Sequence, residues 1–184
     1  MKTIKIMLLV AAVVSALLPS SSALADHGRQ SFGFNAASIK GFPTGEAFLT
    51  GGGAYDPATG FVDSAGGFRC LQDVLQGPLN VSINTDDPGG CLQGEGIRWD
   101  TVQLLPSFQF KCTGAAGEVL KTAVTDGNTI VIVADFYRQG DGNEESFTAK
   151  MFVSAVDEAD ELPGIQNVWI QGVGCGEANV HFNP

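Results

Sequence analysis

The sequence predicts an all-β protein: one antiparallel β-barrel, or a β-sandwich, of about eight strands stapled by disulfides. Three observations carry that expectation. Side chains alternate between apolar and polar over most of the chain, and no 18-residue helical stripe interrupts them. Turn sequences such as Asp141-Gly142 and Asp56-Pro57-Ala58-Thr59-Gly60 separate the alternating runs. Four cysteines follow a leader-like N-terminus, which reads as a disulfide framework. Glycines recur in mid-strand in the first and last hairpins, where a small barrel must coil, and this favours the barrel over the sandwich.

The first 25 residues read as a signal peptide. Lys2 and Lys5 make a basic start, Ile6 to Leu18 is an apolar core too short to span a bilayer, and Ala23-Leu24-Ala25 fits the small-x-small cleavage rule. Cleavage before Asp26 leaves residues 26–184 as a single all-β domain, secreted or extracytoplasmic: periplasm, cell wall or medium. No later run is long and apolar enough for a membrane span. With Lys2 and Lys5 in the leader, eight basic residues remain against 20 acidic ones, a net charge of −12. Nucleic acid is excluded as a partner on that balance, because phosphates need Lys and Arg, and anionic membrane surfaces are disfavoured.

Along the chain, strands are expected at Ser31–Ile39, Gly45–Tyr55, Phe61–Val74, Ile97–Leu105 and Ser107–Cys112, while Ala115–Val124 reads as a short helix or a strand. Thr129 to Val156 is the clearest hairpin. Ile130, Ile132, Ala134 and Phe136 share one face, as do Phe147, Ala149, Met151 and Val153. Centring on the Asp141-Gly142 turn sets Phe136 opposite Phe147 and Ile132 opposite Met151, so turn and faces give one register. A last strand runs from Val168 to Phe182, with Val168, Ile170, Gly172, Gly174, Gly176, Ala178, Val180 and Phe182 on its apolar or small side. Trp169, Glu177, Asn179 and His181 lie opposite.

Cys70, Cys91, Cys112 and Cys175 allow three pairings; the favoured one is Cys70–Cys91 with Cys112–Cys175, the first closing a long loop and the second tying mid-chain to the last strand. No Cys-x-x-Cys pair supports a zinc or redox centre, and no metal or cofactor is expected.

The run Gly51-Gly52-Gly53 to Gly66-Gly67 raises the question of a phosphate loop. No Lys follows it, Asp56 and Asp63 repel phosphate, and the residues after it alternate like a strand. It reads as a hairpin. Pairing i with 116 − i sets Tyr55 against Phe61 and Phe48 against Phe68, and Gly51 and Gly52 against Ala65 and Ser64. The result is a notch of small side chains, which accepts an aromatic ring such as Trp99 or Trp169, or else forms a shallow slot for a ligand.

Candidate chemistry is sparse. His27 lies just after the cleavage site and is set aside; His181 shares the polar face with Glu177, and His181 and Glu177 are the weak catalytic candidates. No Gly-x-Ser-x-Gly elbow exists. Glu46, Asp63, Asp100, Asp135 and Glu177 offer carboxylates, but no spacing selects a pair. Asp141 to Glu145 lacks the ligand spacing of an EF-hand. Arg98-Trp99-Asp100 joins a cation, an aromatic and an acid, and with Gly51 and Gly52 makes the candidate binding group for a small ligand.

The runs PTGEAFLTGGGAYDPATGFVDSAGGFRC, GEGIRWD and VWIQGVGCG resemble small exported bacterial proteins of uncharacterised activity. The Tyr55–Gly60 hairpin is similar to strand turns in small lipocalin-like or dirigent-like barrels, which implies topology alone. The expectation is a secreted, non-catalytic β-domain that binds a small or apolar ligand or a protein partner. Two alternatives stand beside it: a small extracellular hydrolase acting on carbohydrate or lipid, and a structural or adhesive surface protein.

Overall fold

The structure is a computed structural model that describes residues 28–41, 44–75, 90–137 and 146–184. The expected leader and cleavage site, His27, and the expected turn and acids at 141–145 lie outside the described residues.

Eight strands close into an antiparallel barrel. They are β1 (Gln30–Gly41), β2 (Glu46–Asp56), β3 (Phe61–Gln72), β4 (Gly96–Leu104), β7 (Thr129–Tyr137), β8 (Ser146–Ser154), β9 (Val168–Ile170) and β10 (Gly174–Asn183). Each barrel strand pairs with its neighbour along the chain, and β10 returns to β1 to complete the wall. Between β4 and β7 the chain leaves the wall to form a two-stranded ribbon, β5 (Ser107–Phe110) and β6 (Lys121–Val124). The barrel expectation therefore holds over the sandwich. Segment Ala115–Leu120 is turn and irregular chain rather than helix, and only β6 is strand.

The β7–β8 register is the expected one, with Phe136 opposite Phe147 and Ile132 opposite Met151. The β2–β3 register is corrected by one residue: Tyr55 faces Val62 and Leu49 faces Phe68, so partners sum to 117. Asp56 pairs with Phe61, leaving a four-residue loop, and the Gly60 amide donates to the Asp56 carbonyl at 2.9 Å. Gly60 takes φ 75°, which a side chain would strain. The Asp56 carboxylate accepts from the Ala58 amide and from Thr59 Oγ1, fixing the turn locally.

The expected last strand is instead a tight hairpin. Gln171-Gly172-Val173 turns the chain, so Ile170 faces Gly174 and Trp169 faces Cys175. Gly172 and Gly174 adopt positive φ, 86° and 119°, conformations open to glycine. The apolar side keeps its parity through the turn, with Val168, Ile170 and Ala178 facing inward.

Two cores follow. The barrel axis is filled by Phe32, Phe34, Tyr55, Phe68, Trp99 and Phe136 and by the aliphatic groups between them, all buried. Each such burial stabilises by about 1.5–3 kcal/mol. A second core lies outside the wall, where Phe108 and Phe110 of the ribbon cover Val131, Phe152 and Trp169. Phe108 and Trp169 rings sit 5.0 Å apart. Both favoured disulfides form: Cys70–Cys91 at one end of the barrel and Cys112–Cys175 between ribbon and β10.

Candidate functional site

Barrel register sorts the singled-out residues into rows that run across the strands. One inward row is Phe34, Gly51, Gly66, Trp99 and Phe136. The Trp99 indole lies over the two glycines and donates from Nε1 to the Thr50 carbonyl at 3.1 Å. A Cβ on Gly51 would fall 2.2 Å from the indole, and one on Gly66 would fall 2.6 Å from Nε1. The glycine notch thus accepts an aromatic ring from within the protein, the structural one of its two readings. Trp99 is fully buried, so its indole is out of reach of a ligand outside the wall, whereas Gly51 is half-buried.

Gly52 and Arg98 belong to outward rows. One runs His181, Gly33, Gly52, Ala65, Asp100, Asp135. The next runs Asn179, Asn35, Thr50, Gly67, Arg98, Tyr137. A third sets Phe48 beside Arg69 and Arg69 beside Gly96. Successive members of a row lie about 4.8 Å apart, and successive outward rows about 6.7 Å apart.

Between the last two rows the outer wall carries a trough of about 740 Å³. Gly67 and Gly96 form its floor, Phe48, Leu71 and Ala37 its apolar sides, and Arg69 and Arg98 stand over it. Phe48 has no partner on β1, because a bulge makes pairing jump from Ala36–Leu49 to Ile39–Ala47; Ala37 and Ser38 are left unpaired with β2, although Ser38 still pairs with Glu177 of β10.

The carboxylates near the trough are engaged elsewhere. Glu46 accepts from Ser38 Oγ and from Gln72 Nε2. Asp100 accepts from the Tyr137 hydroxyl, and that hydrogen bond, ahead of burial, raises the phenol above its ordinary range. Among the described residues neither Arg69 nor Arg98 forms an ion pair. Sequence reading singled out Arg98 but missed Arg69 and Phe48, which join the site only through the corrected β2–β3 register.

The other candidates do not assemble. His181 and Glu177 project from β10 two rows apart, both exposed, and share no hydrogen bond. Glu177 instead borders a smaller cleft of about 310 Å³ with Asn35 and Asn179. Asp100 and Asp135 face each other on adjacent strands, on open wall rather than in a cleft. No group of three or more metal-ligating side chains occurs among the described residues, nor any helix long and apolar enough to cross a membrane. The four cysteines are all in disulfides, which is compatible with an extracytoplasmic location.

No family model, no curated protein and no solved structure matches this chain.

Proposed function

We propose that this is an exported, non-catalytic binding protein whose small ligand lies on the outer wall of the barrel, in the trough over β2, β3 and β4. The leader-like N-terminus and the two disulfides support export. The filled axis argues against a ligand stored inside, as a lipocalin-type cup would hold one.

One observation carries the outer-wall reading: the trough floor is bare without a packing reason. A Cβ on Gly67 would meet only Thr50 Cγ2, at 3.9 Å, and one on Gly96 only the Phe68 carbonyl, at 3.9 Å. Neither glycine has positive φ. Glycine inside a strand costs about 0.5–1 kcal/mol relative to alanine. Two such glycines lining one trough leave room for a molecule to approach the backbone closely.

The test is native mass spectrometry of the protein recovered from its oxidising compartment, beside Gly67→Leu recovered the same way. A small molecule that co-purifies with the wild type and is absent from Gly67→Leu supports the site. The same adduct on both proteins places the ligand elsewhere and overturns the reading.

A further inference from the structure

We infer that the trough takes a small organic carboxylate with a flat apolar body, its anion held jointly by Arg69 and Arg98. The inference rests on the outer-wall reading and adds the chemistry of the ligand.

The anion follows from charge. Arg69 pairs in register with Gly96, and Arg98 with Gly67, so the two guanidinium groups are diagonal neighbours on β3 and β4. Diagonal neighbours on one face of a sheet lie about 7–8 Å apart, within reach of long side chains, so one small anion can meet both. In a chain with 20 acidic residues, counter-charges are abundant. Yet among the described residues neither arginine has an ion-pair partner, and Glu46 is hydrogen-bonded to Ser38 and Gln72 and Asp100 to Tyr137. Two guanidinium groups lining one trough suit a carboxylate, which a planar fork can engage through paired N–H donors.

The body follows from shape. Gly67 and Gly96 leave a flat backbone floor, with Phe48 and Leu71 rising as apolar sides. A planar ring can lie on that floor against Phe48, and a guanidinium stacks on such a ring while binding its acid. An extended alkyl chain would use neither the flat floor nor the stacking.

Isothermal titration with three matched probes tests this: 1-naphthoate, the neutral 1-naphthalenemethanol and the cationic 1-naphthylmethylamine. The wild type should bind naphthoate at least about tenfold more tightly than the alcohol, and the amine least. Added salt should erode the naphthoate advantage. Arg69→Gln and Arg98→Gln should each abolish it, while Lys150→Gln on another part of the wall should not. Gly67→Leu should remove naphthoate and alcohol binding together, with a denaturation midpoint no lower than that of the wild type. If acid and alcohol bind equally and Gly67→Leu removes both, the trough stands and the carboxylate assignment falls. No naphthoate binding at millimolar concentration also overturns the assignment. Naphthoate binding that survives Gly67→Leu overturns assignment and site alike.

Discussion

The rings of Phe34 and Trp99 touch, with centroids 6.2 Å apart, although two strands separate their backbones. The contact exists because Gly51 and Gly66, the intervening members of the same inward row, have no side chains. The indole fills both places and bonds to the Thr50 carbonyl. One tryptophan therefore fills the places that β2 and β3 leave empty in this row. The outward neighbours of Gly66 on β3 and of Trp99 on β4, Gly67 and Arg98, build the trough.

Adjacent glycines should then respond to alanine with opposite signs. Gly66→Ala drives a methyl group to 2.6 Å from the indole nitrogen and 2.0 Å from the Thr50 carbonyl. Overpacking of this kind costs about 1–3 kcal/mol. Gly67→Ala meets nothing closer than 3.9 Å, and should stabilise by about 0.5–1 kcal/mol by removing glycine from a strand. Urea denaturation of the two variants reads this directly. Equal losses at both positions would show that the indole does not occupy the Gly66 place.

How far the sequence revealed this depends on how many signals bear on each pair of strands. In β7–β8 the turn residues and the apolar faces agree, and the expected register is the observed one. In β2–β3 the middle residues are glycines, which carry no in-or-out information, so register rested on the loop alone. Reading five loop residues instead of four displaced every pair. The β9–β10 turn was hidden because its length preserves parity, leaving one long apparent strand. The ribbon did leave a trace: Thr129–Ile132 and Met151–Ser154 are buried on both faces, and a strand apolar on both faces needs cover on each side. The trough was not legible, since Arg69, Phe48 and Arg98 come together only across three correctly registered strands.

Both tyrosines should resist ionisation. Tyr55 is fully buried, with its hydroxyl 2.7 Å from the Asp126 carbonyl and 2.8 Å from the Gln30 carboxamide. Burial first, and the Asp126 charge second, push its pKa up to about 12. Tyr137 is raised through Asp100. A phenol whose folded value lies above its ordinary 10 stabilises the protein below pH 10, and that contribution drains away as pH climbs toward 12. Ultraviolet titration of the native protein should show little tyrosinate at pH 10, and Tyr55→Phe should lose about 1–2 kcal/mol at pH 7. A full two-tyrosinate signal at pH 10 with the fold intact would contradict the burial.

The two disulfides should differ in what they hold. Cys112–Cys175 closes 63 residues and joins ribbon to barrel, whereas Cys70–Cys91 closes 21. Chain entropy assigns about 4 kcal/mol to the first and about 3 kcal/mol to the second. Replacing Cys112 and Cys175 by Ser should speed amide exchange in β5 and β6 and uncover Phe108 and Trp169, leaving β1–β3 protected. Replacing Cys70 and Cys91 should leave the ribbon amides slow. Uniform loss of protection in the first variant would mean that ribbon and barrel unfold as one unit.

The loop into the ribbon is organised around one carboxylate, and acid should undo it. Glu118 accepts from the amides of Cys112 and Thr113, at 2.5 and 2.8 Å, from Thr113 Oγ1 at 2.6 Å, and from Lys121 Nζ at 3.2 Å. Lys121 also reaches Glu161, so the cluster pins the ribbon to the loop before β9. Burial acts to raise the Glu118 pKa, but the donors together outweigh it and hold the group down to about 2. A carboxyl held below its unfolded 4.5 stabilises the fold above that pH, and the stabilisation is lost as pH falls from 4.5 toward 2. Glu118→Gln keeps the shape but offers one acceptor oxygen where two are used. It should cost about 1–3 kcal/mol at pH 7 and much less near pH 2, where Glu118 of the wild type is itself about half protonated. Denaturation of both proteins at the two pH values checks the sign: a gap of constant size would show that the carboxylate charge is not what orders Cys112 and Thr113.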